Sequence, residues 1–155
     1  MKEIERKFLL TKMPDIALQS TTCIRQGYIT ESRDSVEIRL RRKGDAFFMT
    51  FKRGKGLVRD EAEIKIDEAD FNHLWPLTRD RRVEKQRSKA ILDNGLIVEI
   101  DEFSGALSGL LLCEVEFGDE ARAKAFVPPQ WFGTDVTEDG RYKNKSLAEN
   151  GLPES

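Results

Sequence analysis

The chain has 155 residues, a length typical of one domain, and we expect residues 1–155 to fold around a single core. Its 26 basic and 28 acidic residues leave a formal net charge of −2, so the overall charge indicates neither nucleic acid nor an acidic membrane as a partner. A single histidine, His73, excludes a zinc site of the common Cys/His type. The charged first ten residues, the two cysteines and the lack of an apolar run near about 18 residues favour a cytoplasmic protein.

Short strand-like segments dominate the chain and are separated by turn residues. Eight strands are predicted, at about 2–10, 22–31, 35–43, 46–53, 57–66, 81–88, 96–103 and 109–118. The turns between them, such as KGD at 43–45 and DNG at 93–95, are short. Links of this length join antiparallel neighbours, so the sequence predicts a mainly β protein of the α+β class.

Three short helices are predicted among and after the strands. They lie at about 68–75, between Asp119 and the PP pair at 128–129, and at about 143–150. Asp67 is a suitable N-cap for the first helix, and Gly151 suits the left-handed position that ends the third. All three are amphipathic enough to cover an apolar sheet face.

Charged and apolar residues alternate along most of the predicted strands. The opening strand gathers Glu3, Glu5 and Lys7 on one side, whereas Ile4 and Phe8 lie on the other. Only RVEKQRS at 82–88 is ambiguous, because both of its faces carry polar residues. Read by parity, the charged side collects the acids Glu3, Glu5, Glu37, Glu61, Glu63, Glu99, Asp101, Glu114 and Glu116 and the bases Lys7, Arg39, Arg41, Lys52, Arg59, Lys65, Lys85 and Arg87.

Two arrangements explain these ionic faces. In a sandwich each polar face looks at water, as antiparallel sheets commonly do. In an inverted arrangement eight strands close into a barrel with the charged face inward and the apolar face outward under the helices. A dry interior is excluded by the cost of burying unpaired ions, so such a lumen must be wet, cross-paired or filled by a charged ligand. Carboxylates suit Mg²⁺ or Mn²⁺, and clustered Arg and Lys suit phosphate oxygens.

The order of the sequence blocks resembles one known superfamily. EIERK at 3–7 is similar to the Glu-x-Glu-x-Lys signature of the CYTH superfamily, the triphosphate tunnel metalloenzymes. The resemblance continues through RQGYI, EIRLRRK, TFKRG, RDEAEIKI, RRVEKQRS, EIDEF, CEVEF and the tail PPQWFGTDVTEDGRYKNKSLA, and so covers nearly the whole chain. It implies an eight-stranded antiparallel closed barrel, a tunnel with a charged lumen and helices packed outside.

The resemblance also implies a role for each matching residue. Metal ligands would be Glu3, Glu5, Glu114 and Glu116, with Glu61, Glu63 and Asp101 binding a second metal or orienting its water. The phosphate chain would be held by Lys7, Arg39, Arg41, Lys52, Lys85 and Arg87, with Arg59 and Lys143 near a tunnel mouth. Lys7, Lys85 and Tyr28 are the candidates for proton transfer in catalysis.

These roles imply a Mg²⁺- or Mn²⁺-dependent triphosphatase acting on inorganic tripolyphosphate, close to the short bacterial members of the superfamily. The alternatives within it are a class IV-type adenylate cyclase and a thiamine triphosphatase. A non-enzymatic polyphosphate-binding module is a further alternative. Nucleic-acid binding through RLRRK at 39–43 is disfavoured, because alternation points Arg39 and Arg41 inward. A homodimer is implied by the resemblance alone.

Overall fold

A computed structural model describes residues 4–53 and 60–154 of the protein. Its strands are β1 (Glu5–Leu9), β2 (Ser20–Tyr28), β3 (Val36–Lys43), β4 (Ala46–Arg53), β5 (Asp60–Ile66), β6 (Arg82–Ile91), β7 (Ile97–Phe103) and β8 (Leu111–Glu116). Its α-helices are α1 (Glu68–Leu74), α2 (Glu120–Ala125) and α3 (Asn144–Asn150). The predicted mainly β, α+β class with eight strands and three helices is confirmed. None of the helices in these residues is long and apolar enough to span a membrane.

All eight strands form one antiparallel sheet in the order β1-β8-β7-β6-β2-β3-β4-β5. The outer edge of β1 is occupied by segment 133–137: the Leu9 amide donates to Thr134, and the amides of Gly133 and Val136 donate to Leu9 and Lys7. Within residues 4–53 and 60–154, no ladder joins β1 to β5. The predicted closure of the barrel by strand pairing is therefore not seen, because the edge groups of Lys7 and Leu9 are already bonded.

The sheet nevertheless curls strongly. Lys7 on β1 and Glu37 on β3 are five steps apart in the strand order, which is about 24 Å on a flat sheet. Lys7 Nζ donates to the carbonyl of Tyr142, and Lys145 Nζ lies 3.4 Å from a Glu37 oxygen. Because Tyr142 and Lys145 are only three residues apart, the two halves of the sheet must bend towards each other. We call this concave side the charged face.

The convex side of the sheet carries two apolar clusters. Ala123 of α2 packs with Phe8 and Ile100 beneath it, and Phe71 of α1 packs with Leu40 and Phe47. The N-cap predicted at Asp67 is present, since its side chain accepts a hydrogen bond from the first turn of α1, and the side chain of Asp119 caps α2 in the same way. Because α1 and α2 pack on the convex side, both helices lie outside the sheet, as predicted.

Helix α3 packs on the charged face instead. Leu147 and Ala148 join a buried cluster with Val83, Phe103 and Tyr28, all of which point to that side of the sheet. The prediction that every helix lies outside is wrong for α3. The physical reason is that one end of the charged face is apolar, and α3 removes that apolar surface from water.

Candidate active site

The strand register brings the predicted ionic residues onto one face. Glu5 lies opposite Glu116 and Lys7 opposite Glu114 in the β1–β8 ladder, and Glu114 lies opposite Glu99 on β7. The other ladders of the sheet place on this face the predicted residues Arg39, Arg41, Lys52, Glu61, Glu63, Lys85, Arg87 and Asp101. The predicted site residues Glu3 and Arg59 lie outside the described residues.

The carboxylates of β1 and β8 form an acidic end of the charged face. Glu5 and Glu116 are exposed and directly opposed, and Glu114 is half-buried one pair further along, with its oxygen 3.4 Å from Lys7 Nζ. Three carboxylates on adjacent strands offer the oxygen ligands that Mg²⁺ and Mn²⁺ prefer, so the residues present fit such a cation. In the part of the chain that the structure describes, no three acidic, His or Cys side chains already converge tightly enough to hold one.

A buried ionic cluster lies beside this acidic end. Asp101 accepts two hydrogen bonds from the Arg87 guanidinium, at 2.8 and 2.9 Å, and its Oδ2 also lies 2.8 Å from Lys85 Nζ. Arg87 further contacts Glu99 at 3.3 Å. Both oxygens of Asp101 are thus engaged and the residue is 2% exposed. This geometry favours a counter-ion role for Asp101, and its role in metal binding stays a prediction.

The charges in this cluster perturb one another. Burial alone would raise the pKa of Asp101, but the hydrogen bonds from Arg87 and the charge of Lys85 outweigh it and lower that pKa below its usual value. Burial lowers the pKa of Lys85 to about 8, even though Asp101 opposes the change. The Lys85 side chain has no exposed surface in this conformation. Lys85 is therefore enclosed, and solvent does not reach its amine.

The opposite half of the charged face is rich in arginine. Arg41 Nε donates to Gln26 Oε1 at 3.0 Å, and Gln26 Nε2 donates to the Tyr28 hydroxyl at 3.2 Å. Burial, together with repulsion from Arg39 and Arg87, lowers the pKa of Arg41 to about 10. The Nε of Arg39 is buried without a hydrogen-bond partner among the described residues. Crowded cations with a buried, unsatisfied donor favour the binding of an anion, which would accept from that donor and relieve the repulsion.

Strand β5 contributes the remaining acids at the other end of the strand order. Glu63 accepts a hydrogen bond of 2.9 Å from Thr50 and lies 3.9 Å from an Arg39 nitrogen. Glu61 is exposed opposite Lys52 in the β4–β5 ladder. The structure therefore places these two acids beside the arginines, at the far end of the strand order from Glu5 and Glu116.

A short segment near the C-terminus, residues 142–145, also contacts the charged face. Of its residues, only Lys143 was predicted from the sequence to belong to the site. The Tyr142 carbonyl accepts from Lys7, Asn144 Oδ1 accepts from Lys85 at 3.0 Å, and Lys145 pairs with Glu37. Lys143, the residue predicted to contact substrate, is exposed at the N-cap of α3. The sequence predicted a helix from about residue 143, but only the docking of α3 on the charged face decides which of these side chains points inward.

Comparison with known proteins gives the family. The inorganic triphosphatase of Nitrosomonas europaea is 54% identical over 148 residues, covering 96% of this chain and 97% of that protein. The chain belongs to the inorganic triphosphatase family. The inorganic triphosphatase of Acetivibrio thermocellus is 35% identical over 151 residues, covering 96% of this chain and 94% of that protein. These relatives confirm the resemblance to the CYTH superfamily, whereas no protein-family model matches the chain.

A solved structure supports the same family at the level of the fold. The crystal structure of the inorganic triphosphatase NE1496 is 50% identical and superposes with a TM-score of 0.85, covering 99% of this chain and 98% of that chain. The curled sheet and its charged face are thus the framework of an inorganic triphosphatase family member.

Proposed function

We propose that this protein is an inorganic triphosphatase that hydrolyses tripolyphosphate on its charged face. The observation that carries the proposal is the partly buried array of Arg39, Arg41 and Arg87 on the same face as the carboxylates of Glu5 and Glu114. Bidentate guanidinium groups suit phosphate oxygens, and carboxylates suit the divalent cation that accompanies a polyphosphate. Phosphoryl transfer depends mainly on positioning and charge neutralisation, which such an array supplies.

The proposed metal ligands are Glu5, Glu114 and Glu116, together with Glu3. When bound there, Mg²⁺ or Mn²⁺ supplies charge neutralisation of the phosphate oxygens and activation of a water molecule. Lys7, 3.4 Å from a Glu114 oxygen, stands where the carboxylates meet the cationic side chains. We assign Lys7 to a phosphate oxygen near the metal, because a charged ammonium donates hydrogen bonds and accepts none.

The phosphate chain extends over the basic half of the charged face. Arg39, Arg41, Lys52 and Arg87 are the proposed contacts, and the unpaired Nε of Arg39 is a donor ready for a phosphate oxygen. The resemblance assigns Arg59 and Lys143 to the tunnel mouth; Lys143 is exposed, and the roles of both residues stay predictions. Glu61 and Glu63 are proposed to orient water or a second cation where β5 faces the bound chain.

The candidates for proton transfer differ in their solvent access and in their protonation. Tyr28 is 3% exposed, and burial raises the pKa of its hydroxyl, so at neutral pH it is a hydrogen-bond donor and not a base. Lys85 has the lowered pKa that a base needs, but its amine is enclosed under α3. We therefore propose that Lys85 acts mainly by holding Asp101 and Arg87, and that carboxylates beside the metal accept the proton of the attacking water.

We further propose that the charged face becomes a closed tunnel around substrate. Segment 133–137 occupies the edge of β1, so closure would come from side chains of β5 reaching the bound polyphosphate and metal, and not from a new ladder. A cytoplasmic location, a homodimer and the absence of nucleic-acid and membrane partners remain predictions.

The direct test is hydrolysis by the purified protein of tripolyphosphate, ATP and thiamine triphosphate, each with Mg²⁺, Mn²⁺ or a chelator. We expect phosphate and pyrophosphate from tripolyphosphate, only with metal, and much slower turnover of the two organic triphosphates. Cyclic AMP with pyrophosphate would instead identify the cyclase alternative. Metal-independent turnover, or binding of polyphosphate without any hydrolysis, would contradict the proposal.

Arg41→Gln is expected to stabilise the ligand-free protein but to weaken its binding of tripolyphosphate. Removing this crowded cation should raise the free energy of unfolding of the ligand-free protein by about 1 kcal/mol, a few °C in Tm, after discounting for solvent screening and the lost bond to Gln26. The same change should weaken tripolyphosphate binding at least about tenfold, since one charge-assisted contact is lost. Both effects are read from thermal unfolding with and without tripolyphosphate.

The matched control is Arg42→Gln. Arg42 is the next residue on β3 but points to the convex side, where it lies over Phe47 and donates to the Gly44 carbonyl. It should leave the tripolyphosphate-induced rise in Tm unchanged. Equal loss of that rise in both variants would show that the charged face is not the binding surface.

A further inference from the structure

The tail residue Asn144 contacts a lysine that the rest of the protein encloses. Lys85 Nζ has three hydrogens to donate; one goes to Asp101 Oδ2 at 2.8 Å and one to Asn144 Oδ1 at 3.0 Å. The amine also lies 5.4 Å from the centre of the Phe103 ring. We propose that Asn144 is a positioning residue for triphosphate binding, acting through Lys85 and Asp101 on Arg87; this rests on the proposed function.

The reason is that one carboxylate oxygen serves two cations. Asp101 Oδ2 accepts from Lys85 at 2.8 Å and from an Arg87 terminal nitrogen at 2.9 Å. Asn144 supplies Lys85 with a second, neutral acceptor, so the ammonium does not depend on Asp101 alone. Without it, a desolvated ammonium turns further onto Asp101 Oδ2 and weakens the bidentate bond to Arg87. The guanidinium then loses the fixed plane that matches phosphate oxygens.

The position of Asn144 is itself rigid. It is the first residue of α3, and Leu147 and Ala148 of the same helix are buried in the apolar cluster on the charged face. Lys145 adds an ion pair with Glu37, whose carboxylate lies on β3. Asn144 is 59 residues from Lys85 in sequence, so the contact exists only because α3 docks on this side of the sheet.

The first test compares substitutions at this position. Asn144→Ala removes the acceptor, and we expect KM for tripolyphosphate to rise about tenfold with a smaller change in kcat, as for other supporting contacts behind a binding group. Asn144→Asp keeps an acceptor oxygen and places an acid in the first helical turn, which suits the helix dipole. It should recover most of the affinity. An equal loss in both variants would overturn the proposal.

A double-mutant cycle distinguishes positioning from helix docking. If Asn144 acts through Lys85, then Asn144→Ala should cost no further affinity in a Lys85→Met background. Lys145→Met is the matched control, because it weakens the docking of α3 through Glu37 without touching Lys85. Its effect should be the same in both backgrounds. A full tenfold loss from Asn144→Ala on top of Lys85→Met would show that Asn144 serves only to dock the helix.

A second readout does not depend on activity. In protein labelled with ¹⁵N-lysine, the enclosed Lys85 ammonium should give a slowly exchanging NMR signal, identified by its absence in Lys85→Met. The signal should broaden in Asn144→Ala and persist in Asn144→Asp. If the wild-type protein failed to hydrolyse tripolyphosphate, the proposed function would fall, while an unchanged signal in Asn144→Ala would overturn the contact itself.

Discussion

Glu5→Gln is expected to lower tripolyphosphate hydrolysis at least about 100-fold while leaving the fold intact. Glu5 is exposed and opposes Glu116 across the β1–β8 ladder, so the change removes one negative oxygen from the proposed metal site without opening a cavity. The loss arises because a neutral amide binds Mg²⁺ far more weakly than a carboxylate does. Activity should return in part as the Mg²⁺ or Mn²⁺ concentration is raised, and the titration of rate against metal measures this directly.

The control for this substitution is Glu102→Gln. Glu102 is an exposed glutamate on β7 whose side chain points away from the charged face, since its parity is opposite to that of Glu99 and Asp101. It should keep wild-type turnover and the wild-type metal requirement. If Glu5→Gln matched Glu102→Gln in rate at low metal concentration, the acidic end would not be the metal site.

Parity along the strands carried most of the information about the site. Because a strand alternates its side chains with period two, the residues Glu5, Lys7, Glu114 and Arg41 could be assigned to the charged sides of their strands before any strand order was known. The ambiguous strand β6 shows why this works only in part. Glu84 and Gln86 are polar on the convex side for a separate reason, since Glu84 bonds Arg25 there.

Two features were beyond sequence reasoning because they depend on long-range packing. The pairing of segment 133–137 with β1 fills the edge that closure by a ladder would need, and its residues carry no strand pattern. Arg6 shows the same limit. It interrupts the apolar side of β1, yet its guanidinium donates to the carbonyls of Ala123 and Phe126 at the end of α2 and to Asp135. Local alternation cannot predict such partners, which lie more than 100 residues away.

Together these contacts show how a charged face is kept without a dry, unpaired interior. Buried ions at the centre pair with each other, while Glu5 and Glu116, two of the carboxylates that are proposed to bind metal, stay exposed at the edge. Asp101 therefore offsets the desolvation cost of Lys85 and Arg87, and the arginines that are not fully paired remain able to bind substrate. We therefore expect substitution of Asp101 to affect mainly the stability of the fold, and substitution of the exposed carboxylates on β1 and β8 to affect mainly hydrolysis.

Asp101→Asn should therefore be the most destabilising single change on the charged face. It leaves the buried Lys85 and the partly buried Arg87 without their shared carboxylate, which typically costs about 3–5 kcal/mol and corresponds to a fall in Tm of about 10 °C. Glu99→Gln is the matched control: it contacts the same Arg87, at 3.3 Å, but its side chain is 26% exposed. We expect it to cost less than about 1 kcal/mol.

The pH dependence of this difference tests its electrostatic origin. The pKa of Asp101 is lower in the folded protein than the value of about 3.9 expected when unfolded, so its contribution is fully present well above pH 4. That contribution is lost as the pH falls through the folded pKa and the carboxylate binds a proton. The unfolding free energies of wild type and Asp101→Asn, from urea titrations, should therefore differ clearly near pH 6, where Lys85 is still charged in the wild-type protein, and converge below about pH 4. A gap that stayed constant down to pH 3 would mean that Asp101 stabilises the fold by packing and not by its charge.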